Sequence, residues 1–331
     1  MATILPPHSS NFQFLSGDFP LLANIGESAE HYLHTEPPIC LGKLRLFGEK
    51  VVDVLYEKHG LSFPTENTQH GRLKDLKQKF VLPLPIANLL FAIKDKGNLA
   101  VHENKGTVEE ASTMLQSAFR VAKWLMQIYG TPTENIEALA FRLPPAFDAK
   151  SVILQLEKDY KELEEKYTQL QAQQAAPKLS LEEAAEIQTK SFALANQMEL
   201  SEAETRELID QQLRQAGWEA DTVKLKFSKG IRPQEDKNIA IAEWPVGTKK
   251  ADYALFIGLE LYGIVEAKKK GKDVISDLSQ AKVYAKAIDD KNGAKLLPGN
   301  WNDYKVPFLF ATNGRPYHPQ LEDKSGIWFL D

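Results

Sequence analysis

The chain has 331 residues, 43% of them hydrophobic and 26% charged, the make-up of a globular protein long enough for about two domains. Nothing approaches the roughly 18 consecutive apolar residues of a membrane span, and the opening MATILPPHSSNF lacks the basic and apolar regions of a signal peptide, so the expected setting is the cytoplasm. A single cysteine, Cys40, excludes an intramolecular disulfide, a thiolate zinc cluster and a Cys-x-x-Cys redox site, and reads as a buried, inert thiol. The net charge of −5 argues against a general nucleic-acid binder, but it is unevenly placed. From Asp221 onward there are 18 Lys+Arg against 15 Asp+Glu, a net +3, which leaves −8 for residues 1–220. The C-terminal part is the better candidate to approach a phosphate backbone.

In chain order, the section up to about residue 148 reads as all-helical. Leu44, Phe47, Val51, Val54 and Leu55 recur at helical spacing, as do Met114, Leu115, Ala118, Val121, Ala122 and Leu125. Pro83 and Pro85 interrupt the pattern, and Pro132, Pro144 and Pro145 close it. Residues 149–178 form a long helix with its linker. In it Ile153, Leu156, Tyr160, Leu163, Tyr167 and Leu170 alternate by three and four, which suits a coiled coil or a long helix laid against its own protein. The tract QAQQAAPKLS, with Pro177, ends it.

A different pattern occupies residues 199–331. Ser201 opens a helix to about Gln215, stopped by Gly217. Apolar, β-branched runs follow at Ile239–Ala242, Ala251–Ile257 and Leu261–Ala267, then a helix near Val274–Ile288 and a strand at Val306–Ala311 before Asn313-Gly314. The order is αβββαβ, and the expected fold class is an α/β unit with one mixed sheet flanked by helices, preceded by the all-α domain and the heptad-patterned helix.

Within that unit, Asp252 sits near the start of one strand and Glu266-Ala267-Lys268 closes the next, with Gly258 and Glu260 near the turn between them. Strand side chains alternate, so Glu266 and Lys268 share a face, and a hairpin returns Asp252 beside them. Two close carboxylates call for a hard cation, and oxygen donors suit Mg²⁺, with Mn²⁺ as the substitute. Such an ion polarises a scissile phosphate and lowers the pKa of a bound water, which Lys268 would orient or deprotonate. On the following helix Gln280 and Tyr284 lie four apart on one face, in reach of the carboxylates or of a DNA strand. Glu204 is a further acid for the metal, although its place three residues after Ser201 is also a capping-box pattern, and Glu207 is the substitute. The expected metal set is Glu204, Asp252, Glu266 and Ala267, and the expected catalytic set is Asp252, Glu266, Lys268, Gln280 and Tyr284.

Taken together, SEAETRELIDQQLRQAGW, LKFSKGIRP, IAEWPVGTKKADYALFIGLE, GIVEAKK, the Q-x-x-x-Y helix and VPFLFATNGRPY resemble, in order, the nuclease region of the R subunits of type I restriction enzymes. The resemblance runs from about Glu199 to Asp331 and implies a RecB-like PD-(D/E)xK nuclease that cleaves double-stranded DNA with Mg²⁺, alongside methyltransferase and specificity subunits. It makes Asp252, Glu266 and Lys268 the family's acid, acid and lysine, and Gln280 with Tyr284 its Q-x-x-x-Y motif. The helical section, through NFQFL, LGKLRLFGEKVV and GNLAVHE, is similar to the domain that precedes the nuclease in many such subunits and resembles the HEPN group. Some HEPN members cleave RNA with an Arg and a His. Here Lys94-Asp95-Lys96 stands where an Arg belongs before His102, so a packing or docking role is expected.

R subunits continue into an ATP-driven translocase. This sequence has no G-x-x-x-x-G-K-[ST] phosphate loop, and Lys249 and Lys250 after Gly247 do not make one, so ATP is expected only for a motor that this chain does not carry. The expectation is a cut-down or naturally short relative. The rival from another class is a docking or scaffold module of a DNA-processing complex whose nuclease fold is inert. Retention of two close carboxylates speaks against it.

Overall fold

The structure is a computed structural model that describes residues 10–131, 135–146, 150–173, 179–267, 275–299, 301, 303–312 and 327–330. The chain divides into two compact units, residues 1–198 and 199–331. None of the described helices is long and apolar enough to cross a membrane.

The first unit is helical: α1 (Pro20–Tyr32), α2 (Pro37–Lys58), α3 (Gln69–Gln78), α4 (Leu84–Glu103), α5 (Val108–Tyr129), α6 (Lys150–Gln173) and α7 (Leu181–Gln197). Prolines open α1, α2 and α4, where the missing N–H costs nothing, and a Thr107/Glu110 capping box opens α5. The periodic residues Leu44, Phe47, Val51 and Leu55 of α2 and Met114, Leu115, Ala118, Val121, Ala122 and Leu125 of α5 are buried in its core. Cys40 is among them, a thiol that burial keeps protonated.

The heptad seam of α6 faces the unit's own helices. Leu156 is buried and its carbonyl accepts from Asn24 Nδ2 at 3.1 Å. Tyr32 donates to Glu157 at 3.0 Å, Lys50 pairs with Glu164 at 3.4 Å and Tyr167 donates to Glu57. On α4, Lys96 is buried and its ammonium pairs with Glu110 at 3.2 Å, while His102 is exposed. Glu110 serves both that ion pair and the cap of α5, so Lys96 is a packing residue of the helical core.

The second unit is a mixed sheet between two helices. It opens with α8 (Glu202–Gln215) and contains β1 (Glu219–Ala220), β2 (Asn238–Val246), β3 (Lys249–Ile257), β4 (Glu260–Ala267), α9 (Ile275–Ala287), β5 (Lys295–Leu296), β6 (Phe308–Thr312) and β7 (Ile327–Leu330). The strand order is β1-β2-β3-β4-β6-β7, with β5 also on β4. The αβββαβ order is thus present as α8, β2, β3, β4, α9 and β6, with the short β1, β5 and β7 added. β2–β3 and β3–β4 are antiparallel, and β6 joins β4 in parallel after α9 crosses over. Both faces are covered, which explains the nearly continuous apolar strands. Ile239, Ile241, Ala254, Phe256 and Ile264 pack with Ala281, Tyr284, Ala285 and Ile288 around α9. Ala240, Ala242, Tyr253, Leu255 and Val265 pack with Ile209 of α8.

Candidate active site

The β3–β4 hairpin turns at Gly258, whose φ of +61° favours glycine and whose N–H donates to Lys237 O at 2.9 Å. Next to the turn Ile257 pairs with Glu260 and Phe256 with Leu261. A bulge then shifts the register, so that Leu255 pairs with Gly263 and Tyr253 with Val265, leaving Tyr262 as the extra residue. Continued one step, the shifted register sets Asp252 opposite Glu266; without the bulge Asp252 would face Val265. One residue of bulge therefore decides which side chain of β4 meets Asp252.

A second irregularity lies across from Asp252. Glu243 of β2 holds φ at +54°, a sparsely populated conformation for a residue with a side chain. Beyond it the alternation changes phase: Ile239 and Ile241 share a cluster with Trp244 and Val246, and on β3 Ala254 and Phe256 share it with Ala251. Asp252 sits at this break in the pleat. Glu243 is held by Lys226 at 3.0 Å and Lys250 at 3.2 Å, and the hydrogen bond from Lys226 first, with burial opposing, keeps its carboxyl below the usual range.

The Asp252 carboxylate accepts from the Ala267 backbone N–H at 2.8 Å through Oδ2 and from Arg206 Nη2 at 3.1 Å through Oδ1. Glu266 is 2% exposed, and its Oε1 accepts from Gln280 Nε2 at 2.6 Å. The same Nε2 lies 2.9 Å from the hydroxyl of Tyr284 one turn along α9. Two hydrogen-bonded groups thus meet at consecutive residues of β4: Ala267 with Asp252, which α8 also holds through Arg206, and Glu266 with Gln280 and Tyr284 of α9. Lys268 lies outside the described residues, as does Val274.

Glu204 is buried at the start of α8, where its carboxylate accepts from the Ser201 N–H at 2.8 Å while Ser201 Oγ takes the Glu204 N–H, the capping-box role open to it from the sequence. Glu207 pairs with Arg214 at 2.9 Å. The α8 side chain that reaches Asp252 is Arg206. Sequence reasoning missed it because an Arg four residues after Glu202 reads as an ordinary surface ion pair.

One turn further along α8, Asp210 is buried beside β3. Thr222 donates to it through N–H at 2.6 Å and Oγ1 at 2.8 Å, and the Tyr253 hydroxyl does so at 3.0 Å. Burial first, then the charge of Glu207, raise its carboxyl to about 7. This cluster ties α8 to the strand that carries Asp252, with Tyr253 as the link.

The donors at the ends of β3 and β4 are hard oxygens, the carboxylates of Asp252 and Glu266 and the Ala267 carbonyl, and the Ala267 N–H ties Asp252 to this end of β4. Oxygen donors of this kind suit a small divalent cation, and in the structure Arg206 occupies Asp252. Among the described residues no cluster of three or more His, Cys, Asp or Glu stands ready-formed for a metal ion.

Residues 219–331 match the family model of the type I restriction enzyme EcoKI endonuclease subunit second domain. Residues 27–171 match a domain of unknown function, DUF4145. The C-terminal unit is thus similar to the endonuclease subunits of type I restriction enzymes. Among curated proteins the chain is similar to the type I restriction enzyme EcoKI endonuclease subunit of Escherichia coli (strain K12), 31% identical over 400 aligned positions that cover 98% of this chain and 34% of that protein. The chain spans about a third of the length of that relative. No solved structure matches it.

Proposed function

We propose that residues 199–331 are the Mg²⁺-dependent PD-(D/E)xK endonuclease of a type I restriction R subunit, hydrolysing phosphodiester bonds of double-stranded DNA. In this reading the chain works in the cytoplasm beside methyltransferase and specificity subunits, and the helical HEPN-like section packs or docks. The observation that supports it is the hydrogen bond from the Ala267 N–H to Asp252, which ties Asp252 to the residue after Glu266, together with the Gln280 amide on Glu266 and its contact with Tyr284.

Asp252, Glu266 and the Ala267 carbonyl would hold the cation, and Glu204 is the further acid at the near end of α8. When bound, Mg²⁺ or Mn²⁺ polarises the scissile phosphate and lowers the pKa of a coordinated water. Gln280 fixes the Glu266 carboxylate through a charge-assisted hydrogen bond, so that its orientation is set before any ligand arrives. Lys268 follows Ala267 in the sequence and is assigned by the sequence pattern to orient or deprotonate the water.

A scaffold reading draws on one observation, the Arg206 guanidinium seated on Asp252. Calorimetry with Mn²⁺ on the purified chain separates the two. Binding that Glu266→Ala removes supports the endonuclease; no binding, with no change in that variant, supports the scaffold.

A further inference from the structure

Building on the metal-site reading above, we propose that Arg206 is a latch on Asp252: its guanidinium occupies the carboxylate until a divalent cation displaces it, and Glu202 receives it when it leaves.

The geometry is a direct competition. One oxygen of Asp252 accepts from the Ala267 N–H at 2.8 Å, and the oxygen that no backbone group holds, the more open one to a cation, is the one that Arg206 Nη2 holds at 3.1 Å. A guanidinium and a dication on one carboxylate oxygen repel each other, so loading the metal requires Arg206 to move.

An exit for Arg206 is already built. The same Nη2 lies 3.2 Å from Glu202 Oε1, one turn back on α8. Glu202 is 66% exposed, whereas Asp252 is 16% exposed. Passing from a shared position to Glu202 alone needs only rotations within the Arg206 side chain. The charge keeps a partner throughout, and α8 stays anchored through Asp210, Thr222 and Tyr253. The consequence is a site whose acid is neutralised when no metal is present and whose metal affinity is set below that of the bare carboxylates.

The test is Mn²⁺ binding to the full 331-residue chain without DNA, read by calorimetry and by the loss of the free-Mn²⁺ electron paramagnetic resonance signal. Arg206→Gln is expected to bind at least about tenfold more tightly than wild type, equivalent to about 1.4 kcal/mol. Arg206→Lys, which keeps the charge, should stay near wild type. Glu202→Gln removes the exit and should weaken binding about threefold, as expected for an exposed charge pair. Being on the exposed start of the helix, it keeps the test open if Arg206→Gln does not fold. Asp252→Asn should abolish the signal. If Asp252→Asn loses binding but Arg206→Gln is no tighter and Glu202→Gln is unchanged, the latch is overturned while the metal site stands. If Asp252→Asn binds like wild type, the metal-site reading falls and the latch with it.

Discussion

Glu266 and Asp210 are both buried acids of the same unit, and they are kept for different reasons. Glu266 is 2% exposed and takes a side-chain amide from Gln280, an arrangement that costs desolvation and that the proposed endonuclease reading explains by chemistry. Glu266→Ala and Lys268→Ala are therefore expected to abolish DNA cleavage by the assembled restriction complex while Glu266→Ala leaves the melting temperature unchanged or slightly raised. Plasmid cleavage and calorimetric melting check both halves, and wild-type cleavage by either variant would place the chemistry elsewhere. Asp210 holds its proton to about pH 7 in the folded state, against an ordinary carboxyl value near 3.8, through burial and the Glu207 charge. Between those two values the folded chain binds a proton that the unfolded chain releases, so the stability contributed by this group is full below about pH 4 and declines as the pH rises toward 7, by on the order of a few kcal/mol. Asp210→Asn keeps the partners Thr222 and Tyr253 and removes the titration. It should be more stable than wild type at pH 8 and show a smaller difference between pH 5 and pH 8 in urea unfolding.

At the scale of elements, two close approaches set the geometry. In the helical unit α2 and α4 cross at Gly97, where an added Cβ would stand 2.4 Å from Arg45 Cβ and 3.0 Å from the Leu41 carbonyl oxygen. Helix propensity alone favours alanine there by about 1 kcal/mol, but the overlap is with atoms that cannot swing away, and overpacking of this kind costs about 1–3 kcal/mol. Gly97→Ala should therefore lower the melting temperature despite its better propensity, and a rise would mean that the two helices separate easily. In the second unit the bulge at Tyr262 shifts the β3–β4 register just ahead of Asp252, and the φ of +54° at Glu243 breaks the pleat of β2 across from it. Bulges near sheet ends commonly re-aim a side chain in this way.

At the scale of the whole chain, no part of the sequence supplies a phosphate-binding loop or a base-reading module in a basic patch. The purified chain, incubated with supercoiled plasmid, Mg²⁺ or Mn²⁺ and ATP, should show no ATP turnover above background. It should give at most weak nicking without discrete ends. The latch on Asp252 gives this a physical basis, since a site that holds its own arginine needs a high metal concentration before it is ready. Reproducible fragments with defined termini would mean that target recognition resides within these residues.

The αβββαβ order, the helical section before it and the pairing of Gln280 with Tyr284 could all be read in the sequence. Each depends on a period, 2 or 3.6, or on caps such as Ser201 and turns such as Gly258, all of them local signals. Asp252, Glu266 and Lys268 stood out for a related reason, since charged groups beside a run such as LYGIV interrupt a pattern that burial would otherwise make apolar. The seam of α6 was ambiguous, because a heptad pattern specifies an apolar stripe and not what covers it; α1 and α2 cover it here. Lys96 had the same ambiguity, and its burial against Glu110 makes it part of the core. What only the tertiary structure decided is register and reach. The one-residue bulge at Tyr262 sets Asp252 against Glu266, and the packing of α8 carries Arg206 to Asp252 across 46 positions of sequence. Strand pairing and helix docking are contacts between distant segments, so no local period in the chain records them.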